Sequence, residues 1–254
     1  MKALLALRNG PNYRRDQFAA GLVKCGYEVV DRLPRIDRTD LLVTWNRHGA
    51  RNTEALRFVA AGAKIFVAEN GPLGKIWNGR KWFSIARNHH NGAGSWTNYG
   101  PERWDSWGVE MQPFRAHGRE VIVLAQRGIG EPGIGSPAMW AEKTAEKIPG
   151  SRIRRHPGRD ETVVPLEEDL RDARCVVTWH SAAALRALML GVPVFYDFPK
   201  WLGRSAGKSL RALLAGEPPR RDESARLDAM RNIAWAMWTD SEVENGAAFE
   251  ALAQ

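Results

Sequence analysis

Short apolar runs alternate with longer amphipathic stretches along the chain. Runs of strand length, such as residues 3–7 and 121–125, end at polar or glycine-containing turns, whereas residues 15–25 and 137–147 have a helical pattern. Continuous apolar runs of this length are typical of strands buried on both faces of a parallel sheet. A strand, a crossover helix and a parallel strand form a right-handed unit. The pattern therefore predicts an α/β fold.

An internal repeat divides this pattern into two halves. Residues 40–70 match residues 174–199 once the second copy is shortened in its turn, and Gly62 then aligns with Gly191. Each copy reads as a strand, a polar turn, a helix ended by glycine and a second strand. Two copies of one βαβ unit predict two Rossmann-like parallel-sheet halves, which we expect to face a cleft.

The flanks of the repeat extend both halves in the same way. Trp45 and Trp179 are expected at equivalent strand ends. The predicted domains are residues 1–112 and 113–254, with a link near residues 108–118 and a last helix that can cross back to the first half. The remaining predicted elements are strands at 2–7, 27–30, 120–125 and 152–155 and helices near 15–25, 137–147, 205–215 and 224–238.

Composition and charge narrow the class of protein. The chain has 254 residues, with 44% hydrophobic and 26% charged residues, as in an ordinary folded protein. No apolar stretch approaches the roughly 20 residues that span a bilayer, and no cleavage site follows the short apolar stretch at the N-terminus. Cys25 and Cys175 lie far apart in sequence, which fits a reducing, cytoplasmic location. We therefore expect a cytoplasmic protein with no membrane span.

The positive charge points to a class of partner. A net charge of +8 and a sequence pI of about 9.8 favour polyanions such as nucleic acid, anionic glycans or nucleotide phosphates. Several of the eleven tryptophans lie within residues 77–107 beside arginine and lysine. They suit stacking on sugars or bases, but packing in the core is the commoner role of such aromatics.

Ligands of parallel sheets bind beyond the carboxyl ends of the strands, so the loops there are the places to look for chemistry. In the loop at 126–133, Gly128 and Gly130 would let the backbone approach a phosphate and Arg127 could pair with it, although glycine-rich loops are common. At the turn 179–182, His180 and the first helical amides suit an anion, and Ser181 is a good helix N-cap. The other two loops are residues 8–12 and 154–158.

Two further motifs bear on phosphate and metal binding. Residues 207–209 resemble the end of a P-loop, but the first glycine of that motif falls on Leu202 and no strand precedes it in register. His89 and His90 suggest a metal site together with His117, yet the spacing supplies no third ligand, so a solvated loop is the favoured interpretation. We predict no metal.

The second half resembles the donor-binding domain of GT-B glycosyltransferases of the capsular-polysaccharide, Kdo-transferase-like group. The resemblance is carried by His156-Pro157 after one strand and by His180-Ser181 opening a helix that ends before Gly191-Val192-Pro193. In the first half, residues 68–73 look like the acidic Glu-Asp-Gly-x-Leu segment of that group's acceptor domain. The group usually has Glu where Arg186 stands, at a helix position expected to face the donor nucleotide.

The resemblance implies a metal-independent transferase that moves a sugar from a nucleotide-sugar donor, with no cofactor. Glu69 is the candidate general base and Asp16 the second, although Glu69 could equally serve the turn that follows it. The basic surface suits a polyanionic acceptor, a modified DNA base or an anionic glycan. The alternatives are a nucleic-acid-binding protein without catalysis and a sugar-nucleotide epimerase. The predicted donor-binding residues are Arg127, Gly128, Gly130, Arg155, His156, His180, Ser181 and Arg186, and the predicted acceptor-binding residues are Arg8, Asn12 and Asn70.

Overall fold

The computed structural model describes residues 1–157 and 164–254. Contacts divide these residues into two compact units, one made of Met1–Tyr99 and Trp235–Gln254 and the other of Gly100–Ala234. The first unit is thus built from two separate stretches of sequence, and the second lies between them in the chain. Among the described helices, none is both long and apolar enough to cross a bilayer.

The secondary structure follows the predicted alternation of strands and helices. Up to residue 99 the elements are β1 (Lys2–Ala6), α1 (Arg15–Lys24), β2 (Glu28–Val30), β3 (Leu41–Trp45), α2 (Ala50–Ala60), β4 (Lys64–Asn70), β5 (Ile76–Trp77), β6 (Arg80–Arg87) and a 3-10 turn (Asn91–Ala93). They continue with α3 (Glu102–Asp105), β7 (Glu120–Leu124), α4 (Trp140–Glu146), β8 (Arg152–Arg154), α5 (Leu166–Asp169), β9 (Ala173–Thr178), α6 (Ala182–Met189), β10 (Val194–Tyr196), β11 (Lys208–Ser209), α7 (Leu210–Leu214), α8 (Glu223–Ala234), β12 (Met237–Thr239), α9 (Asp240–Glu244) and α10 (Ala247–Ala253).

The sheet of the first unit has a parallel centre and an antiparallel side. Its order is β12-β6-β4-β3-β1-β2, with β5 paired to β6. Strands β1 to β4 are parallel, whereas β6 is antiparallel to β4, β5 and β12. Side chains alternate between its faces: Val43 packs in a core with Phe18 of α1 and Phe249 of α10, and Leu42 packs with Phe58 of α2 on the other side.

The sheet of the second unit is parallel throughout, in the order β11-β10-β9-β7-β8. The order β8-β7-β9-β10 repeats the order β2-β1-β3-β4 of the first unit. Trp45 ends β3 and Trp179 directly follows β9, so the two tryptophans stand at equivalent strand ends. The predicted pair of related parallel-sheet halves is confirmed.

The helix ends of the repeat also match in detail. Gly62 after α2 and Gly191 after α6 have φ of 65° and 72°, a left-handed conformation that glycine adopts without strain. The Gly62 amide donates to the Val59 carbonyl and the Gly191 amide to the Leu188 carbonyl. The next amide in each copy bonds one residue further back, to Phe58 or Ala187, which completes a Schellman motif. The prediction that the helix of each repeat copy ends at a glycine is therefore correct in both halves.

The predicted helices of the C-terminal region are corrected by the structure. The helix expected at 224–238 ends at Ala234, and Met237 and Trp238 lie in β12, paired with β6. A short apolar run has no period that separates strand from helix, and burial against β6 decides for the strand. The helix expected at 205–215 is reduced to α7, because Lys208 and Ser209 extend the second sheet as β11.

The chain leaves and re-enters the first unit at one place. The rings of Tyr99 and Trp235 lie edge to face with centroids 5.0 Å apart. The Tyr99 hydroxyl also donates to the Ala251 carbonyl of α10 at 2.8 Å. At the start of the second unit, the Arg103 guanidinium donates to the carbonyl of Ala234, the last residue of that unit, at 2.9 Å. The point where the chain leaves the first unit and the point where it returns therefore lie next to each other.

Candidate functional site

A polar cavity of about 570 Å³ opens at the carboxyl ends of β7 and β8 in the second unit. Ligands of parallel sheets bind at this edge. The loop after β7 contributes Arg127 and the loop after β8 contributes Arg155 and His156. Two guanidinium groups and an imidazole therefore share one cavity. The complete lining is Ala125, Gln126, Arg127, Gly128, Ser136, Pro137, Ala138, Met139, Trp140, Ala141, Glu142, Arg155 and His156.

The glycines of the loop after β7 close that loop on itself. Gly128 and Gly130 have φ of 64° and 140°. A Cβ on Gly130 would lie 2.6 Å from the Gly135 nitrogen, and one on Gly135 would lie 2.8 Å from the Gly128 oxygen. Close backbone approach within the loop thus requires glycine, and only Gly128 of the three lines the cavity.

His156 has a defined tautomer. Its Nδ1 lies 2.6 Å from the Pro157 carbonyl, which can only accept, so Nδ1 carries a hydrogen and Nε2 holds the lone pair when the ring is neutral. Loss of hydration and the positive charge of Arg127 lower the pKa of His156, against the opposing effect of the Pro157 carbonyl. This shift favours the neutral form of the ring. Gly158, the end of this predicted loop, lies outside the described residues.

His180 is held by Gln126, a residue that the sequence did not single out. The His180 amide donates to Gln126 Oε1 at 2.8 Å, which fixes the orientation of the side-chain amide. Gln126 Nε2 then faces His180 Nδ1 at 3.0 Å and donates to it. A neutral His180 consequently carries its hydrogen on Nε2. Gln126 lines the cavity and so connects His180 to it.

Aromatic contacts fix the turn that carries His180. Trp179 stacks on Phe198 with centroids 5.8 Å apart, and its Nε1 donates to the Ile134 carbonyl of the glycine-rich loop at 2.8 Å. Trp140 lies edge-on to Trp179 and donates to Asp197 Oδ2 at 2.7 Å. The loops after β7, β9 and β10 are thereby tied together. Neither Trp140 nor Asp197 was predicted to matter.

Ser181 and Arg186 lie outside the cavity lining. The Ser181 hydroxyl accepts from the Ala183 amide at 3.2 Å and caps α6, which is the ordinary structural role of such a serine. Arg186, in the last turn of α6, forms an ion pair with Glu167, and both side chains are more than two-fifths exposed. The structure brings together Arg127, Gly128, Arg155 and His156, with His180 adjacent through Gln126.

In the first unit, the predicted residues lie on loops after β1 and at the end of β4. Glu69 is half-buried in β4, opposite Ser84 of β6, and Asn70 is the exposed last residue of that strand. Arg8 is exposed just after β1. Asp16 is exposed at the start of α1 and lines a second cavity of about 440 Å³. That cavity is lined by Asn9, Gly10, Pro11, Arg14, Arg15, Asp16 and Gln17.

Asn12 is contacted by two lysines that the sequence analysis missed. Lys75 Nζ donates to Asn12 Oδ1, and Lys81 Nζ donates to the Asn12 carbonyl at 2.9 Å. A hairpin brings the lysines together: Asn78 and Gly79 both have positive φ, the geometry of a type I′ turn between β5 and β6. The adjacent Asn-Gly pair is a strong hairpin signal and could have revealed this pairing.

The histidine pair is buried, so the favoured interpretation of a solvated loop is wrong. His89 and His90 are 5% and 1% exposed and stack with centroids 4.4 Å apart. His90 Nδ1 accepts from the Arg47 amide at 3.0 Å. Within residues 1–157 and 164–254, His, Cys, Asp and Glu form no group of three that could hold a metal ion.

The tryptophan-rich region contributes mainly to packing. Trp82 and Trp104 are buried, and the Trp82 ring nitrogen donates to the Trp77 carbonyl at 2.8 Å. Trp77 and Trp107 are half-buried against Trp82 and Trp104, respectively. These contacts agree with the packing role.

Comparison with solved structures finds similar folds. A β-Kdo 2,7-transferase from Thermosulfurimonas dismutans KpsC superposes with a TM-score of 0.56 over 100% of this chain and 99% of that chain, at 14% identity. A β-Kdo 2,4-transferase from the same KpsC gives a TM-score of 0.55 over 91% and 90%, at 13% identity. No protein-family model matches the sequence, and no curated protein does. The predicted resemblance to the GT-B, Kdo-transferase-like group is confirmed at the level of the fold.

Proposed function

We propose that this protein is a metal-independent glycosyltransferase that moves a sugar from a nucleotide-sugar donor to an acceptor hydroxyl. The observation that carries the proposal is the cavity beyond β7 and β8, where Arg127, Arg155 and His156 converge in a GT-B-like fold. The second unit binds the donor and the first unit binds the acceptor.

The chemistry of transfer assigns roles to these groups. The acceptor oxygen bonds to the anomeric carbon, the bond from that carbon to the phosphate oxygen breaks, and the electron pair leaves with the phosphate. Arg127 and Arg155 neutralise the charge that develops on the leaving phosphate. The phosphate also raises the proton affinity of His156, whose Nε2 then donates to it. Glu69 accepts the acceptor's proton, with Asp16 as the second candidate.

His180 and Gln126 complete the donor site. Because His180 contacts both ends of the Gln126 side-chain amide, Gln126 has a fixed orientation in the wall of the cavity. A polar group held in one orientation needs no reorganisation when the leaving group gains charge. The acceptor is anionic, an acidic glycan or a modified DNA base, in keeping with the net charge of +8.

Thermal denaturation with a panel of nucleotide sugars tests the donor assignment. A ligand that binds only the folded protein raises the melting temperature, so at least one nucleotide sugar should stabilise the chain. In Arg127→Gln, affinity for that donor should fall about tenfold or more, because a charged hydrogen bond contributes about 1.5 kcal/mol or more.

Arg119→Gln is the matched control. Arg119 precedes β7 at the opposite edge of the same sheet, its side chain is 89% exposed, and it pairs only with Asp172 among the described residues. Donor affinity should be unchanged in this variant. Equal loss in both variants, or no stabilisation by any nucleotide sugar, would contradict the proposed donor site.

A further inference from the structure

Three cations of the first unit, Lys75, Lys81 and Arg14, lie near one another. Lys75 and Lys81 both donate to Asn12, and Arg14 lies two residues further along the same loop. Within the described chain, none of the three forms an ion pair with a carboxylate. An arrangement of like charges without a counter-ion is unfavourable unless something else supplies negative charge.

Lys81 is the unusual member of this group. Only 8% of the residue is exposed, and lysine is almost never buried without a charged partner. Its ammonium group lies 5.0 Å from the centroid of the Phe83 ring. Each ammonium has three N–H donors; the contact with Asn12 uses one, and a ring face attracts a cation without replacing a counter-ion.

The charges that face Lys81 come from three elements. Lys75 approaches from the hairpin, Arg14 from the loop after β1 and Asp240 from the start of α9. Burial and then the two cations lower the pKa of Lys81 to about 8, against the weaker opposing effect of Asp240. A bound anion would relieve this repulsion.

We propose that Lys75, Lys81 and Arg14 bind a single oxyanion, a carboxylate or a phosphate, carried by the acceptor sugar. The proposal rests on the proposed function and deepens it by naming the acceptor as an acidic sugar. A nucleic-acid backbone is neutralised by an extended row of cations. One buried ammonium with two exposed cations near it suits one oxyanion group instead. The cavity beside Arg14, about 440 Å³ with Asp16 in its wall, gives room for the rest of a sugar.

Titration of Lys81 in the intact protein tests the site without any donor. The lysines are converted to ¹³C-dimethyl-lysine, and the Lys81 resonance is assigned from its absence in Lys81→Met. Glucuronate and inorganic phosphate are then added in separate experiments. The bound anion should raise the pKa of Lys81 by about one pH unit or more. A response to glucuronate alone assigns a carboxylate, and a response to phosphate assigns a phosphate.

Two variants complete the test. Lys81→Met should weaken binding of the responding anion about tenfold or more, whereas Lys64→Met should leave it unchanged. Lys64 is exposed at the amino end of β4. Lys64→Met therefore removes the same charge as Lys81→Met from the same unit. If Lys81→Met does not fold, Lys81→Arg supplies the assignment of the resonance, and the titration of the unaltered protein decides.

The outcomes separate this proposal from the proposed function. An unchanged Lys81 titration with both anions would overturn it, and so would a response to a DNA oligonucleotide alone. Neither result would alter the stabilisation of the second unit by a nucleotide sugar, because no donor is present in the titration.

Discussion

Alanine at the two matched glycines should have different costs, although both glycines end the same helix of the repeat. Gly62→Ala places a side chain at φ 65° with no atom within 4 Å of the new Cβ. Gly191→Ala places one at φ 72° with the Pro113 oxygen only 2.1 Å away. Backbone strain is common to both variants, at about 1 kcal/mol. The collision is specific to Gly191.

The hydrogen bonds on either side of Pro113 give the free-energy cost of this collision. The Gln112 amide donates to Met189 and the Arg115 amide to Gly191, each at 2.9 Å. Moving Pro113 away from a Cβ disturbs both hydrogen bonds, each worth about 1 kcal/mol. We therefore expect a loss in the free energy of unfolding of about 3 kcal/mol for Gly191→Ala and about 1 kcal/mol for Gly62→Ala.

Native-state hydrogen exchange is the suitable assay, because two units need not unfold together. Protection of β9 and β10 should fall in Gly191→Ala, and protection of β3 and β4 should fall by the smaller amount in Gly62→Ala. Equal losses in the two variants would refute the argument from Pro113, since only the shared strain would then remain.

Three further results are expected. Arg127→Gln should raise the pKa of His156, measured by NMR, because the positive charge that helps to lower it is removed. An unchanged pKa would show that the charge of Arg127 does not act on His156. The folded pKa of Lys81 lies at about 8, below its ordinary value of 10.5. The unfolded chain therefore binds more protons between these values, so Lys81 should make stability rise with pH across this window, and urea unfolding of Lys81→Met should lack that rise. Glu69→Gln should lower turnover about a hundredfold or more while thermal stabilisation by the donor survives; normal turnover would transfer the role to Asp16.

The repeat explains why much of the fold was predictable. Strand runs such as 121–125 and the stops at Gly62 and Gly191 are local signals, and their agreement in two copies identified the same βαβ unit twice. Trp238 was assigned to a helix because the partner that makes it a strand, β6, is distant in sequence. Long-range pairing of this kind leaves no local pattern.

The site was only partly predictable for the same reason. Arg127, Arg155 and His156 follow parallel strands, so their meeting at one edge of the sheet could be predicted from the sequence. Gln126 matters because of a hydrogen-bonded pair with a residue on another loop. The position of Lys81 depends on an Asn-Gly turn together with a distant contact to Asn12. Contacts between residues so far apart in sequence leave no local pattern from which they could be predicted.

The neighbouring rings of Tyr99 and Trp235 bring together the two ends of the segment that forms the second unit. Domains are inserted successfully where the two ends of the insert lie close together at the surface of the host. Here residues 100–234 form such an insert within one parent domain. A short glycine-containing linker from Tyr99 to Trp235 should therefore yield the parent domain alone, with Lys81 and Asn12 in place. The excised segment, expressed separately, would allow the proposed binding of a nucleotide sugar to be measured without the first unit.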